Sequence, residues 1–195
     1  DYTYRIYAEG SGPKEQSLSD TITFTAYDTI PPDRTQINRG TITQTSETNG
    51  IAELGFEPAT QANRKGYIIY RSEDNSRFVP VDTVHTNATN RITYSDAGLN
   101  THYSILSYYV RSFDSCWNVA APSDTHQLIN LKAEPQNLAN EVSWTTYKGW
   151  NNLYYELQRR KPNTNWQTLA RLASDSLRYT DSTNNCDTLY YYRVK

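Results

Sequence analysis

The sequence predicts an all-β chain of tandem β-sandwiches, and three features carry that expectation: strand-forming composition, period-two alternation broken by turns, and internal repetition. Seventeen tyrosines and four tryptophans accompany many threonines, with no methionine and only eight glycines, a mixture that suits pleated strands better than helices. The hydrophobic fraction is low at 36% while the aromatic fraction reaches 13%. A few large rings, each removing a large area from water, are therefore expected to build each small core.

The alternation recurs at Tyr2/Tyr4/Ile6, Ile22/Phe24, Ala52/Leu54/Phe56 and Val142/Trp144, each reading as a half-buried strand. Turn signals fall between such runs at Gly10-Ser11-Gly12-Pro13, Asn49-Gly50, Asp74-Asn75-Ser76, Pro162-Asn163 and Asn184-Asn185. Short strands joined by short polar turns point to sandwiches.

Repetition sets the domain organisation. Leu54-Gly55-Phe56 and Tyr67-Ile68-Ile69-Tyr70-Arg71 match Val142-Ser143-Trp144 and Tyr155-Glu156-Leu157-Gln158-Arg159 at one offset. Further on, Tyr94-Ser95-Asp96 matches Tyr179-Thr180-Asp181, and Tyr108-Tyr109-Val110-Arg111 matches Tyr190-Tyr191-Tyr192-Arg193. A third version of the last motif is Tyr2-Thr3-Tyr4-Arg5, followed by Ser19-Asp20-Thr21 as the middle version is followed by Ser123-Asp124-Thr125. The expected units are residues 1–29 as the tail of one module, 30–130 as a complete module, and 131–195 as a module without its last strand. Ile30-Pro31-Pro32-Asp33 is read as a stiff joint, and Thr125 to Glu134 as a stretch where one module's last strand feeds the next module's first.

Several function classes have little support. The net charge is −2 with Lys and Arg scattered, so no basic stripe exists for a phosphate backbone and nucleic acid is not an expected partner. No run approaches the roughly 18 apolar residues of a membrane span. The start at Asp1 has neither Met nor a signal-peptide core, so the chain is expected to be processed or internal to a longer one. His85, His102 and His126 are isolated, and Cys116 and Cys186 form no zinc motif; no metal or cofactor is expected. Glu53, Glu57, Asp82 and Asp96 are spread over strand ends and turns rather than paired across a cleft, and neither a Ser-His-Asp arrangement nor a glycine-rich phosphate loop is present. The chain is not expected to be an enzyme.

With strands lettered, B falls at Ala52-Phe56, C at Tyr67-Arg71, E at Ile92-Tyr94, F at Tyr108-Phe113 and G near Thr125-Leu131. This pattern resembles the fibronectin type III (immunoglobulin-like) sandwich. The resemblance implies that Phe56 or Trp144 on B packs between the sheets against Tyr67 or Tyr155 on C. Tyr190-Tyr191-Tyr192-Arg193-Val194 stands where that family carries a Tyr-x-Tyr-Arg-Val strand F. One departure is that Ala97-Gly98-Leu99-Asn100 and Asn184-Asn185-Cys186 replace the family's Leu-x-Pro, which puts its tyrosine-corner hydrogen bond in doubt.

A narrower resemblance rests on Ile30-Pro31-Pro32-Asp33, Lys65-Gly66-Tyr67-Ile68-Ile69-Tyr70-Arg71, Val79-Pro80-Val81-Asp82-Thr83-Val84 and Phe113-Asp114-Ser115-Cys116-Trp117-Asn118. It is similar to modules of large surface and gliding-motility proteins exported by type IX secretion. That resemblance implies an exported, cell-surface bacterial protein of structural or adhesive role. In such relatives a Cys before strand F pairs with one after it, which implies that Cys186 pairs with a Cys beyond Lys195 and leaves Cys116 without a local mate; a bridge between the two would cross modules. It also implies O-glycosylation at Asp-Ser/Thr-apolar triplets, with acceptors Thr21, Thr29, Thr83, Ser176, Ser182 and Thr188. The plain alternative is that Asp-Thr is a common way out of a turn and into a strand, since Asp bonds the local backbone and Thr is β-branched.

Asn87-Ala88-Thr89 fits an N-glycosylation acceptor, and Arg39-Gly40-Thr41 lacks the Asp of the integrin tripeptide. Trp117, Trp150 and Trp166 lie in or beside turns, where each ring either contacts a sugar or protein partner or covers a sandwich end. Trp144 belongs to the core by pattern. The expected partners are other modules of the chain and protein or glycan ligands. Two alternatives stand beside the surface-protein reading: a spacer or carbohydrate-binding module of a secreted glycan-degrading enzyme, and a partner subunit of an envelope assembly.

Overall fold

The computed structural model describes residues 1–61, 63–183, 185 and 187–195. Four short strands open the chain: β1 (Tyr2–Tyr4), β2 (Tyr7–Glu9), β3 (Gln16–Leu18) and β4 (Ile22–Phe24). They form an antiparallel ribbon in which β1 pairs with β4 and β2 with β3. The Gly10–Gly12 signal makes its tip, where Gly10 N–H donates to Glu15 O at 2.7 Å.

Next come β5 (Gln36–Gln44), β6 (Gly50–Glu57), β7 (Arg64–Ser72), β8 (Val79–His85), β9 (Ile92–Leu99), β10 (Ser107–Asp114) and β11 (His126–Gln127). They form one antiparallel sheet of order β5-β6-β9 and another of order β11-β10-β7-β8. With β5 lettered A and β8 lettered C′, these are A-B-E and G-F-C-C′, the two packed layers of the sandwich expected from the sequence. Between the layers lie Ile37, Leu54, Phe56, Tyr67, Ile69, Leu106, Tyr108, Val110 and Leu128. Phe56 meets Tyr67 edge-on at 4.9 Å between ring centroids. The Tyr67 hydroxyl accepts from Ala59 N–H at 2.9 Å, so the buried phenol oxygen is satisfied.

A second sandwich is built from β12 (Leu131–Gln136), β13 (Ala139–Trp144), β14 (Tyr154–Arg160), β15 (Gln167–Ala173), β16 (Arg178–Asp181) and β17 (Tyr191–Val194). Its sheets have the orders β12-β13-β16 and β15-β14-β17. Val142, Trp144, Tyr147, Tyr155 and Leu157 form its core. Trp144 and Tyr155 repeat the Phe56/Tyr67 contact at 5.7 Å, and the Tyr155 hydroxyl accepts from Tyr147 N–H at 3.0 Å. Asn163, at φ 59°, makes the expected turn between β14 and β15, closed by Thr164 N–H to Lys161 O at 3.2 Å. Asn184 of the Asn184-Asn185 signal lies outside the described residues.

The structure corrects the repeat in two places. Strand β5 runs through the Arg39-Gly40-Thr41 segment, where the sequence showed no strand signal. More consequentially, strand F of the middle copy is offset by two residues from its sequence match. Tyr108 stands opposite Arg71 and Tyr192 opposite Arg159, so Tyr108 corresponds to Tyr192, not Tyr190. The ribbon agrees: Ile6 N–H donates to Ser19 Oγ at 2.8 Å and Ser19 N–H to Ile6 O at 2.9 Å. Val110 N–H donates to Ser123 Oγ at 3.0 Å and Ser123 N–H to Val110 O at 2.9 Å. Ile6 thus matches Val110, and Tyr4 matches Tyr108. Shifting a strand by two preserves the face of every residue, so a tyrosine-rich run matches itself in either register and only hydrogen bonding distinguishes them.

The correct register exposes a repeated polar cluster. Arg71 Nη1 lies 2.8 Å from Asp96 Oδ2, and the Tyr108 hydroxyl donates to the same oxygen at 2.9 Å. In the second sandwich Arg159 Nη1 lies 2.5 Å from Asp181 Oδ2, with the Tyr192 hydroxyl donating at 2.8 Å. Each cluster joins an Asp of the A-B-E layer to an Arg and a Tyr of the opposite layer. The tyrosine-corner bond put in doubt by the missing Leu-x-Pro is a separate one, and it is made in the second sandwich, where the Tyr190 hydroxyl just before β17 accepts from Asn185 N–H at 3.1 Å.

Candidate functional site

The sandwiches meet through a segment that serves both. Leu128 N–H bonds Leu106 O at 2.9 Å on the first side, while Gln127 N–H bonds Lys148 O at 2.9 Å on the second. Asn130 then exchanges bonds with Thr145: its N–H donates to Oγ1 at 2.9 Å, and its carbonyl accepts from the Thr145 N–H at 3.0 Å. Its side-chain amide fans back to the first sandwich, reaching Thr101 O at 3.1 Å and His102 O and Ser104 O at 3.3 Å. Residues 126–130 therefore have partners on both sides, which a flexible tether would lack.

His126 sits at the centre of this junction and is 1% exposed. Its Nδ1 is 2.6 Å from the Tyr147 hydroxyl, and Trp150 lies edge-on at 4.9 Å. Burial holds the imidazole below its ordinary value of 6.5, with Asp124 acting weakly the other way. Burial likewise pushes the Tyr147 phenol up. Gly149 passes His126 at φ 145°, where a Cβ would collide with the imidazole.

Beside the junction runs a groove of about 920 Å³. The first sandwich contributes Thr41, Ile42 and Thr101 to its lining, and the second contributes Leu131, Ala133, Trp150, Asn152 and Tyr191–Lys195. Trp150 is 47% exposed and leans on Tyr147 at 4.5 Å. Among the described residues, Asn152 Nδ2 is buried without a hydrogen-bond partner. Aromatic faces with polar groups between them suit a ligand that is itself part apolar and part hydrogen-bonding.

The three turn tryptophans separate on inspection. Trp117 is 61% exposed and stacked flat on Phe113 at 4.5 Å, held at φ 61°, a conformation costly for a bulky residue. The turn that holds it hangs on Asp114, which accepts from the N–H groups of Cys116 and Asn118 at 2.8 and 2.9 Å. Trp166 is half-buried beneath the guanidiniums of Arg160 and Arg193, 4.8 and 4.4 Å away. Only Trp150 lines the groove. Trp144 is a core residue.

Of the acceptor residues, Thr21, Thr29 and Ser182 are exposed, whereas Thr83, Ser176 and Thr188 are half-buried. Asp20 and Asp82 each accept from the following residue's N–H at 2.7 Å, the local bonding that the plain reading of these triplets requires. Asn87 is exposed. Cys116 is exposed and free; Cys186 lies outside the described residues. Among the described residues no group of three His, Cys, Asp or Glu could hold a metal ion, and no helix is long and apolar enough to cross a membrane.

The junction was not visible as a site in the sequence. His126 and Asn130 carry no motif, and the one available signal was that Thr125 to Glu134 had to serve two modules at once.

The sequence matches no described protein family and no curated protein. Among solved structures, the chain is similar to the FN1–FN3 domains of chicken CNTN1, with 15% identity, coverage of 98% of this chain and 70% of that one, and a TM-score of 0.37. It is also similar to a chain of a cytokine receptor complex, with 16% identity, coverage of 80% and 88%, and a TM-score of 0.27.

Proposed function

We propose that this chain is a non-catalytic structural or adhesive repeat region of an exported cell-surface or filament protein, serving adhesion or gliding motility. The units are residues 1–29, 30–130 and 131–195. The observation that carries the reading is the shared junction: Asn130 and Gln127 bond both sandwiches, so each module sets the position of the next. A string built this way holds spacing and transmits load. The ribbon is tied down similarly, since Asn118 Nδ2 donates to Asp28 O at 2.8 Å and Asn63 Nδ2 to Asp28 Oδ2 at 2.7 Å.

The test is made on the producing cells. Antibody raised against the two sandwiches should label intact cells, and peptide mapping of the native protein, with and without reduction, should place glycan mass on Thr21, Thr29 or Ser182 and a disulfide on Cys186. Labelling only after lysis, together with unmodified peptides, would defeat the exported-surface reading.

The groove favours a second reading, a carbohydrate-binding or spacer module of a secreted glycan-degrading enzyme. Trp150 offers a ring face and Asn152 an unpaired donor in the same groove. Oligosaccharides that perturb the Trp150 indole signal in NMR titrations would support it; an unchanged spectrum across plant and microbial glycans would dismiss it.

A further inference from the structure

We infer that His126 is an acid-sensitive latch between the two sandwiches: neutral, it holds them in one fixed relation, and protonated, it frees them to move about residues 126–130 while each stays folded. This rests on the shared junction and on nothing about where the protein acts.

The latch is built across the boundary. His126 belongs to β11 of the first sandwich, opposite Tyr108, yet its ring is enclosed by the 147–150 loop of the second. Its Nδ1 meets the Tyr147 hydroxyl at 2.6 Å, the Trp150 ring stands edge-on at 4.9 Å, and Gly149 passes so close that a Cβ there would strike Nδ1 and Cε1. Beside it Gln127 and Lys148 exchange backbone bonds at 2.9 and 3.4 Å, and Asn75 of the first sandwich holds the Gln127 side chain at 2.7 Å. With 1% of the residue exposed, an imidazolium reaches water only by leaving that loop, and a charge that stays buried without a partner is costly.

The groups packed around the ring, among the described residues, offer that charge little compensation. Strand β10 brings Tyr108, whose hydroxyl is given to Asp96. Strand β5, which packs beside β11, brings Arg39, paired with Glu53 at 3.6 Å. The loop of the second sandwich brings Lys148, itself a cation, and Tyr147, whose phenol is kept neutral by burial. The carboxylate that favours the imidazolium is Asp124, and it is exposed and engaged by Arg34 at 2.6 Å. Each sandwich meanwhile closes on its own cluster of core residues, and His126 belongs to neither. Withdrawal of the ring therefore opens the junction and leaves both cores shut, which separates a latch from a point of global unfolding.

The experiment is small-angle X-ray scattering on the whole chain at low ionic strength from about pH 7.5 to about pH 5, the range in which histidine titrates. Hydrogen exchange of β6 and β13 is followed in parallel, and the series is repeated on His126→Gln and Asp124→Asn. Expected are a larger maximum dimension and a broader spread of conformations as pH falls below 6.5, with β6 and β13 as protected as before. In His126→Gln the scattering should not change with pH, whether the junction is then closed or open throughout. In Asp124→Asn the transition should move to lower pH, because the charge that favours the imidazolium is gone. Unchanged scattering of the native chain down to pH 5 overturns the inference, as does a transition that persists in His126→Gln. A transition that Asp124→Asn leaves in place or raises also overturns it, and so does loss of protection in β6 or β13 at the same pH, because acid would then unfold a sandwich rather than release it.

Discussion

Replacing Asp96 by alanine should destabilise the first sandwich and leave the second nearly untouched. Asp96 accepts from Arg71 at 2.8 Å and from Tyr108 at 2.9 Å, and all three side chains are largely buried. Removing the carboxylate strands a guanidinium and a phenol between the layers. Breaking a buried pair from one side costs about 3–5 kcal/mol. Glu73 still reaches Arg71 at 2.9 Å from a half-exposed position, which places the expected loss near the lower end, about 3 kcal/mol. For a unit of roughly 100 residues this lowers the melting temperature by roughly 12–24 °C. Urea unfolding followed by hydrogen exchange separates the sandwiches, because peptides from β9 and β10 report on one and peptides from β13 and β14 on the other. Glu73→Ala, at an exposed pair, should cost under about 1 kcal/mol. A loss from Asp96→Ala as small as that would refute the claim that this cluster ties the layers together.

The equivalent change Asp181→Ala should destabilise the second sandwich selectively by a similar amount, read by exchange in β13 and β14; equal loss in both sandwiches would contradict the repeat alignment. Asn130→Ala removes the side-chain amide whose two N–H groups are shared among three carbonyls across the junction and should cost about 1–3 kcal/mol, read as weaker hydrogen-exchange protection of the junction peptides. Gly149→Ala forces a side chain into a φ of 145° against His126, so it should loosen the junction at least as much in the same experiment. The His126 imidazole is depressed below 6.5 by burial, so the folded chain resists protonation more than the unfolded one. Its contribution is therefore complete above pH 6.5 and declines as pH falls from 6.5 toward the folded value. A urea midpoint that is flat or rising between pH 7 and pH 5, measured on the junction peptides, would contradict this.

Much of the core is legible in the sequence. Phe56, Tyr67, Trp144 and Tyr155 stand out because large rings recur at one fixed offset in alternating strands, and the structure buries all four. Strand β5 was missed because Gln36–Gln44 mixes polar residues with glycine and threonine, so its two faces differ too little in hydropathy. The turn tryptophans illustrate the same limit. Trp117, Trp150 and Trp166 look alike as aromatic residues near turns, yet one is stacked and exposed, one lines a groove, and one lies beneath two arginines.

The sequence by itself determined that this chain is all-β and repetitive, because period-two burial and turn chemistry are local and each copy states them again. Tertiary structure decided the register of strand F, the Arg-Asp-Tyr clusters and the junction. Each depends on which backbone group faces which partner across a sheet or between sandwiches. A shift of two residues leaves the hydrophobic pattern intact while changing every hydrogen bond, so pairing across layers was needed to tell Tyr108 and Tyr192 from their neighbours.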